Sequence, residues 1–108
     1  MITFIAHLRI PPDNAAAFED LMTRVAAMSN EREEGVVHYS FGKSVEDPGT
    51  YAVVEVYRDQ AAVAAHGQTD WVTDSVPEML RLVDGMPQIV QYFSPGTEPV
   101  VSQFDDLT

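Results

Sequence analysis

Residues 2–10, ITFIAHLRI, alternate so regularly that they fit a β-strand with one wholly apolar side. Ile2, Phe4, Ala6, Leu8 and Ile10 fall on one face, and Thr3, Ile5, His7 and Arg9 on the other. A strand of this kind has to bury its apolar side under helices, and the rest of the chain supplies them. PPDN at 11–14 breaks the strand and offers Asp13 or Asn14 as a helix cap. Phe18, Leu21, Met22, Val25 and Met28 then recur at helical spacing, and Gly35 ends that helix. VVHYSFGK (36–43) reads as a second strand, EDPGT (46–50) as a turn and YAVVEVY (51–57) as a third strand. Asp59 caps a short alanine-rich helix, and a further helical stretch follows Thr69 or Asp70. Its stripe is Val72, Val76, Met79, Leu80 and Val83, with Pro77 as a kink or a break. Gly85 and Pro87 stop it, and QIVQYF (88–93) is the fourth strand.

The order β-α-β-β-α-β predicts an α+β, ferredoxin-like fold with both helical segments on one face of the sheet. Residues 1–94 form the domain and 95–108 a tail. Helices on one face leave the other bare. Strand 1 is mixed on that side, and strand 2 divides into Val37, Tyr39 and Phe41 against Val36, His38 and Ser40. A broad, partly apolar face in water is a poor arrangement, so two sheets are expected to pack face to face in a homodimer, a dimeric α/β barrel. The tail, SPGTEPVVSQFDDLT, carries Val100, Val101 and Phe104, which suit an arm crossing to the other subunit and covering a sheet edge.

Composition narrows the partners. Seventeen acidic residues against six basic ones give a net charge of −11, which repels phosphate backbones and anionic headgroups. Neither nucleic acid nor a membrane is an expected partner. The chain has no cysteine, so disulfides and cysteine-based zinc sites are excluded. No segment is long and apolar enough to span a bilayer, and the start MITFIAHLRI is a strand rather than a signal peptide, so a cytoplasmic location is expected.

Within this pattern Glu55 and His66 stand out. Strand parity puts Tyr51, Val53, Glu55 and Tyr57 on one side and Ala52, Val54 and Val56 on the other. The small aliphatic side suits sheet-to-sheet packing, so the Tyr/Glu side faces the helices. Glu55 lies ~13 Å back along the strand from the turn at Asp59. His66 lies ~10 Å back along a helix running the other way, so the two side chains reach the same depth. A buried carboxylate without a partner costs several kcal/mol unless it is protonated, and His66 is the partner at hand. Such a pair either ties the helix to the sheet or forms a carboxylate–imidazole dyad that moves a proton in a pocket.

Several stretches resemble the antibiotic biosynthesis monooxygenase family. They are the opening MITFIAHLRI, a proline with Phe18 at the head of the first helix, EREEGVVHYSF and VVEVYRDQAAVAAH. The family's glutamate, proline, glycine and tyrosine correspond to Glu33, Glu34 in the proline's place, Gly35 and Tyr39. Its later block corresponds to Glu55, Tyr57, Asp59, Ala62 and His66. The resemblance covers roughly residues 1–93. It implies a ferredoxin-like dimer with a small pocket between sheet and helices. It also implies oxidation of a small aromatic or quinol by molecular oxygen, with no flavin, haem or metal cofactor. Members that oxygenate anthrone-like aromatics or degrade haem tend to carry asparagine on strand 1 and tryptophan on strand 3, where this chain has His7 and Tyr57. Haem degraders use a later helix histidine as iron ligand; no histidine follows His66, so haem degradation is not expected.

The candidate catalytic residues are therefore Glu55, His66 and His7, with Tyr51, Tyr57 and Trp71 as candidates for stacking on a flat substrate. His7, His38 and His66 have no short metal-ligand spacing, so no metal site is expected. Two other functions fit the same residues: an isomerase-like acid–base enzyme using the Glu–His pair, and a non-catalytic small-molecule-binding protein.

Overall fold

The computed structural model describes residues 1–100. Four antiparallel strands, β1 (Ile2–Arg9), β2 (Val36–Lys43), β3 (Thr50–Tyr57) and β4 (Gln88–Phe93), form one sheet in the order β2-β3-β1-β4. Helix α1 (Ala15–Arg32) joins β1 to β2, while α2 (Gln60–Gly67) and α3 (Asp70–Leu82) join β3 to β4. The α+β, ferredoxin-like arrangement read from the sequence is the one observed.

The alternation of β1 becomes the floor of the core. Ile2, Phe4, Ala6, Leu8 and Ile10 are buried, and His7 and Arg9 are exposed on the other face. Helix α1 meets this floor with Phe18, Leu21, Met22, Val25 and Ser29. The stripe turns onto Ser29 rather than the expected Met28, because Met28 faces α3 instead of the sheet. Phe18 is fully buried, with ring centroids 4.9 Å from Tyr51 and 6.3 Å from Phe41. Burial of such a ring contributes about 2–3 kcal/mol.

Local details depart from the sequence reading in instructive ways. Asn14 stands at the head of α1, but its side-chain amide donates to the Leu82 carbonyl at 3.0 Å and so ties that helix to the end of α3. Asp59 caps α2 as expected, accepting from the Ala62 amide at 2.9 Å. In β2 the register slips between Val36 and His38. One extra residue there reverses the parity, so Val36 joins Tyr39 and Phe41 on the helix side and Val37 is left 55% exposed. Gly35, just before this bulge, lies so close to α2 that a Cβ would come within 2.4 Å of the Ala62 Cβ. Only glycine lets the chain leave α1 at that distance.

Helix α3 carries the predicted apolar stripe, yet none of its residues is buried. Val76 and Leu80 are 36% and 43% exposed. The stripe roofs a cavity instead of packing on the sheet. No helix among the described residues is long and apolar enough to cross a membrane. Of the tail, Pro99 and Val100 lie against their own chain. The Gln60 amide donates to the Pro99 carbonyl at 2.7 Å, and Gln91 holds both the N–H and the carbonyl of Val100. Val101 and Phe104, expected in an inter-subunit arm, lie outside the described residues.

Candidate functional site

A cavity of about 550 Å³ lies between the sheet and the helices. Phe4, Ala6, Leu8, Val53 and Ile89 form its floor, and the α3 stripe forms its roof. The titratable groups gather at one end, Tyr39 from β2, Glu55 and Tyr57 from β3, and His66 from α2, while Thr73 and Ser75 in the roof turn their hydroxyls to carbonyls of α3 itself. Neither lysine nor arginine lines it. An apolar chamber with a few convergent polar groups is the usual form of a small-molecule site, and this volume is within the usual range.

Each polar group is held from several sides. His66 is buried, with its ring between two tyrosines, and both ring centroids lie 5.3 Å away. Its Nδ1 lies 3.0 and 3.1 Å from the two carboxylate oxygens of Glu33. Its Nε2 points to Glu55 Oε1 at 3.8 Å. The Tyr57 hydroxyl donates to that same Glu55 oxygen. The predicted Glu–His pair is therefore present, spaced for an ion pair and longer than a direct hydrogen bond.

The surroundings favour protonated forms. Burial lifts the Glu55 carboxyl above its ordinary value, and nearby Glu33 pushes the same way. The Tyr57 hydroxyl and His66 pull against this shift. Burial also pushes Tyr39 and Tyr57 far up, with Glu55 adding to both. Both tyrosines thus remain neutral hydrogen-bond donors. A carboxyl that gives up its proton less readily than in water is a better base once ionised.

Glu33 belongs to the same cluster but is not among the candidates that its sequence surroundings mark. In EREE at the end of a helix it looks like an ordinary solvated charge, and only its match to the family pattern marked it. In the structure its side chain is 8% exposed and receives the Trp71 indole N–H at 3.0 Å. Its position follows from the chain around it. Asn30 exchanges two hydrogen bonds with the Tyr39 backbone, at 2.8 and 2.9 Å, fixing the end of α1 against β2. The close passage at Gly35 then sets the link between them.

The other candidates are spread out. His7 is exposed on the opposite face of the sheet, across from Ala52 and Gln88, and does not reach the cavity. Its parity on β1 is the reason, since residues 4, 6 and 8 point inward. Tyr51 is buried beneath α1 and its hydroxyl donates to Glu19. It is six residues from Tyr57, ~20 Å along the strand, too far to share one small ligand. Trp71 is not on the cavity wall: its N–H goes to Glu33 and Ser29, and its ring faces a cleft between α1 and α3. Tyr57 does line the cavity. Among the described residues no group of three or more histidine, aspartate or glutamate side chains is placed to hold a metal ion.

The model of the family "Antibiotic biosynthesis monooxygenase" matches residues 1–78. The chain belongs to that family. Among solved structures, a Caulobacter crescentus CB15 protein provisionally named an antibiotic biosynthesis monooxygenase is 30% identical, with a TM-score of 0.82 over 86% of this chain and 88% of that one. A protein of the same provisional name from Nitrosomonas europaea is 20% identical, with a TM-score of 0.81 over 88% and 90%. A conserved protein from Methanosarcina mazei Go1 is 21% identical, with a TM-score of 0.78 over 84% and 89%. These last two share the fold. No curated protein matches the chain.

Proposed function

We propose that this antibiotic biosynthesis monooxygenase family member oxidises a small phenol or quinol with molecular oxygen, in the cavity between sheet and helices and without a bound cofactor. The observation that carries the reading is the Tyr57–Glu55–His66 array at one end of a largely apolar chamber. Glu55 is the base that takes the phenol proton. His66 stands behind it, able to share that proton and balance the charge of the phenolate. The neutral hydroxyl of Tyr39 orients the bound oxygen atom, while that of Tyr57 is held by Glu55. The phenolate is electron-rich enough to reduce oxygen, and a C–O bond forms at a ring carbon bearing hydrogen. The resulting hydroperoxide loses water and leaves a carbonyl, so one oxygen atom enters the product and the other becomes water. The apolar walls exclude solvent from these intermediates.

The same reading includes a homodimer formed through the outer sheet face. Ile5, Val54 and Val56 lie there half-buried, beside Val37, Val90 and Tyr92 at 55%, 42% and 57% exposure. Face-to-face pairing would cover them all and enclose His7 in the interface.

Oxygen uptake with a panel of quinols and hydroxylated aromatics tests the activity. Consumption that is lost in Glu55→Gln is expected. Turnover that needs no oxygen would favour an acid–base isomerase, and tight binding without turnover a non-catalytic carrier.

A further inference from the structure

We propose that Glu33 is the positioning residue of this site, fixing which nitrogen of His66 carries the proton. The inference deepens the function proposed above and rests on it for its catalytic part. Glu33 is almost wholly buried, and among the described residues no lysine or arginine pairs with it. Its donors are the Trp71 indole, at 3.0 Å, and His66 Nδ1, at 3.0 and 3.1 Å. An ionised carboxylate accepts and cannot donate, so Nδ1 must bring the hydrogen. The neutral imidazole therefore holds its proton on Nδ1 and turns the Nε2 lone pair toward Glu55 and the cavity. The proton that Glu55 removes from a substrate can then pass to Nε2 once the pair closes from 3.8 Å to hydrogen-bond distance. The imidazolium so formed lies between two carboxylates, with Glu33 behind it and Glu55 in front. No electron moves in this step; one proton changes place.

Trp71 makes the arrangement one-way. Its N–H lies 3.0 Å from Glu33 Oε2 and 3.2 Å from Ser29 Oγ, so in a Glu33→Gln variant the orientation that keeps the shorter bond gives the indole the amide oxygen and leaves the NH2 facing His66 Nδ1. That geometry forces the proton to Nε2 and presents a donor, not an acceptor, to Glu55. A carboxylate that merely tied the helices together would fix the tautomer as well, but its exchange for glutamine would leave kcat unchanged.

The test is 15N NMR of histidine-labelled protein, run beside steady-state kinetics. In the unaltered protein the neutral His66 ring carries its proton on Nδ1. In Glu33→Gln the proton moves to Nε2, and kcat falls ~100-fold or more while KM changes less than about threefold. A proton on Nε2 in the unaltered protein would overturn the proposal even if the variant did not fold. So would a folded variant with unchanged tautomer and unchanged kcat. Absence of oxygen consumption by the unaltered protein would defeat the monooxygenase reading alone, because the NMR result requires no substrate.

Discussion

His66 Nε2 lies 3.8 Å from Glu55 Oε1 while its other nitrogen is held by Glu33, so a single imidazole links two largely buried carboxylates. The link crosses from α2 to β3 on one side and to the end of α1 on the other. Helix position and proton position are thus set by the same contacts, and changes at either carboxylate should register in both stability and chemistry.

Glu55 contributes to pH dependence with a definite sign. Burial raises its carboxyl above the ordinary value of 4.5, with Tyr57, His66 and Glu33 as the groups facing it. The folded chain then holds a proton that the unfolded chain has released, and stability falls as pH rises through that window. Replacing Glu55 with glutamine keeps an acceptor for Tyr57 and removes the charge. The variant is expected to gain melting temperature relative to the unaltered protein as pH rises above 4.5, with no further change below that value. Thermal melts across pH check it; a constant difference throughout would contradict it.

Gly35 should tolerate no side chain. A Cβ placed 2.4 Å from the Ala62 Cβ has to push α2 away from the sheet. Gly35→Ala is expected to cost about 1–3 kcal/mol by overpacking, read as a fall in melting temperature of roughly 4–8 °C per kcal/mol. An Ala62→Gly second change should recover part of that loss.

Strand alternation and helical spacing carried nearly all of the fold, because they follow from burial on one face of the sheet. The parity of β2 escaped, since the bulge between Val36 and His38 is an irregularity that apolar alternation does not mark. The candidate site was legible where polarity broke a pattern, as at Glu55 and His66, which the fold brings together at the cavity. It was not legible at Glu33, whose neighbours Glu31, Arg32 and Glu34 make it look solvated. Trp71 looked like a stacking platform, and its actual partner, the Glu33 carboxylate, is 38 positions away in the chain.

The outer sheet face offers a test of assembly. Val54 sits on the central strand β3, facing away from the helices. Val54→Asp would place a charge on each side of the proposed dimer interface. Sedimentation at micromolar concentration is expected to give twice the 11.9 kDa chain mass for the unaltered protein and a monomer for the variant. A monomer in both would remove the barrel.

The tail gives a smaller, local effect. Gln91 holds Val100 through both backbone groups, and Val100 packs beside Ile2, Phe4 and Tyr57. Losing two hydrogen bonds in Gln91→Ala should cost about 1–2 kcal/mol. Unchanged melting temperature would show that this contact contributes nothing.

Mass spectrometry of the product formed under 18O2 tests the central claim most directly. With a phenol or quinol that the protein consumes, the account predicts one 18O atom in the product carbonyl and labelled water as the other product, both lost in Glu55→Gln. A product formed without label, or formed equally well in the absence of oxygen, would contradict it.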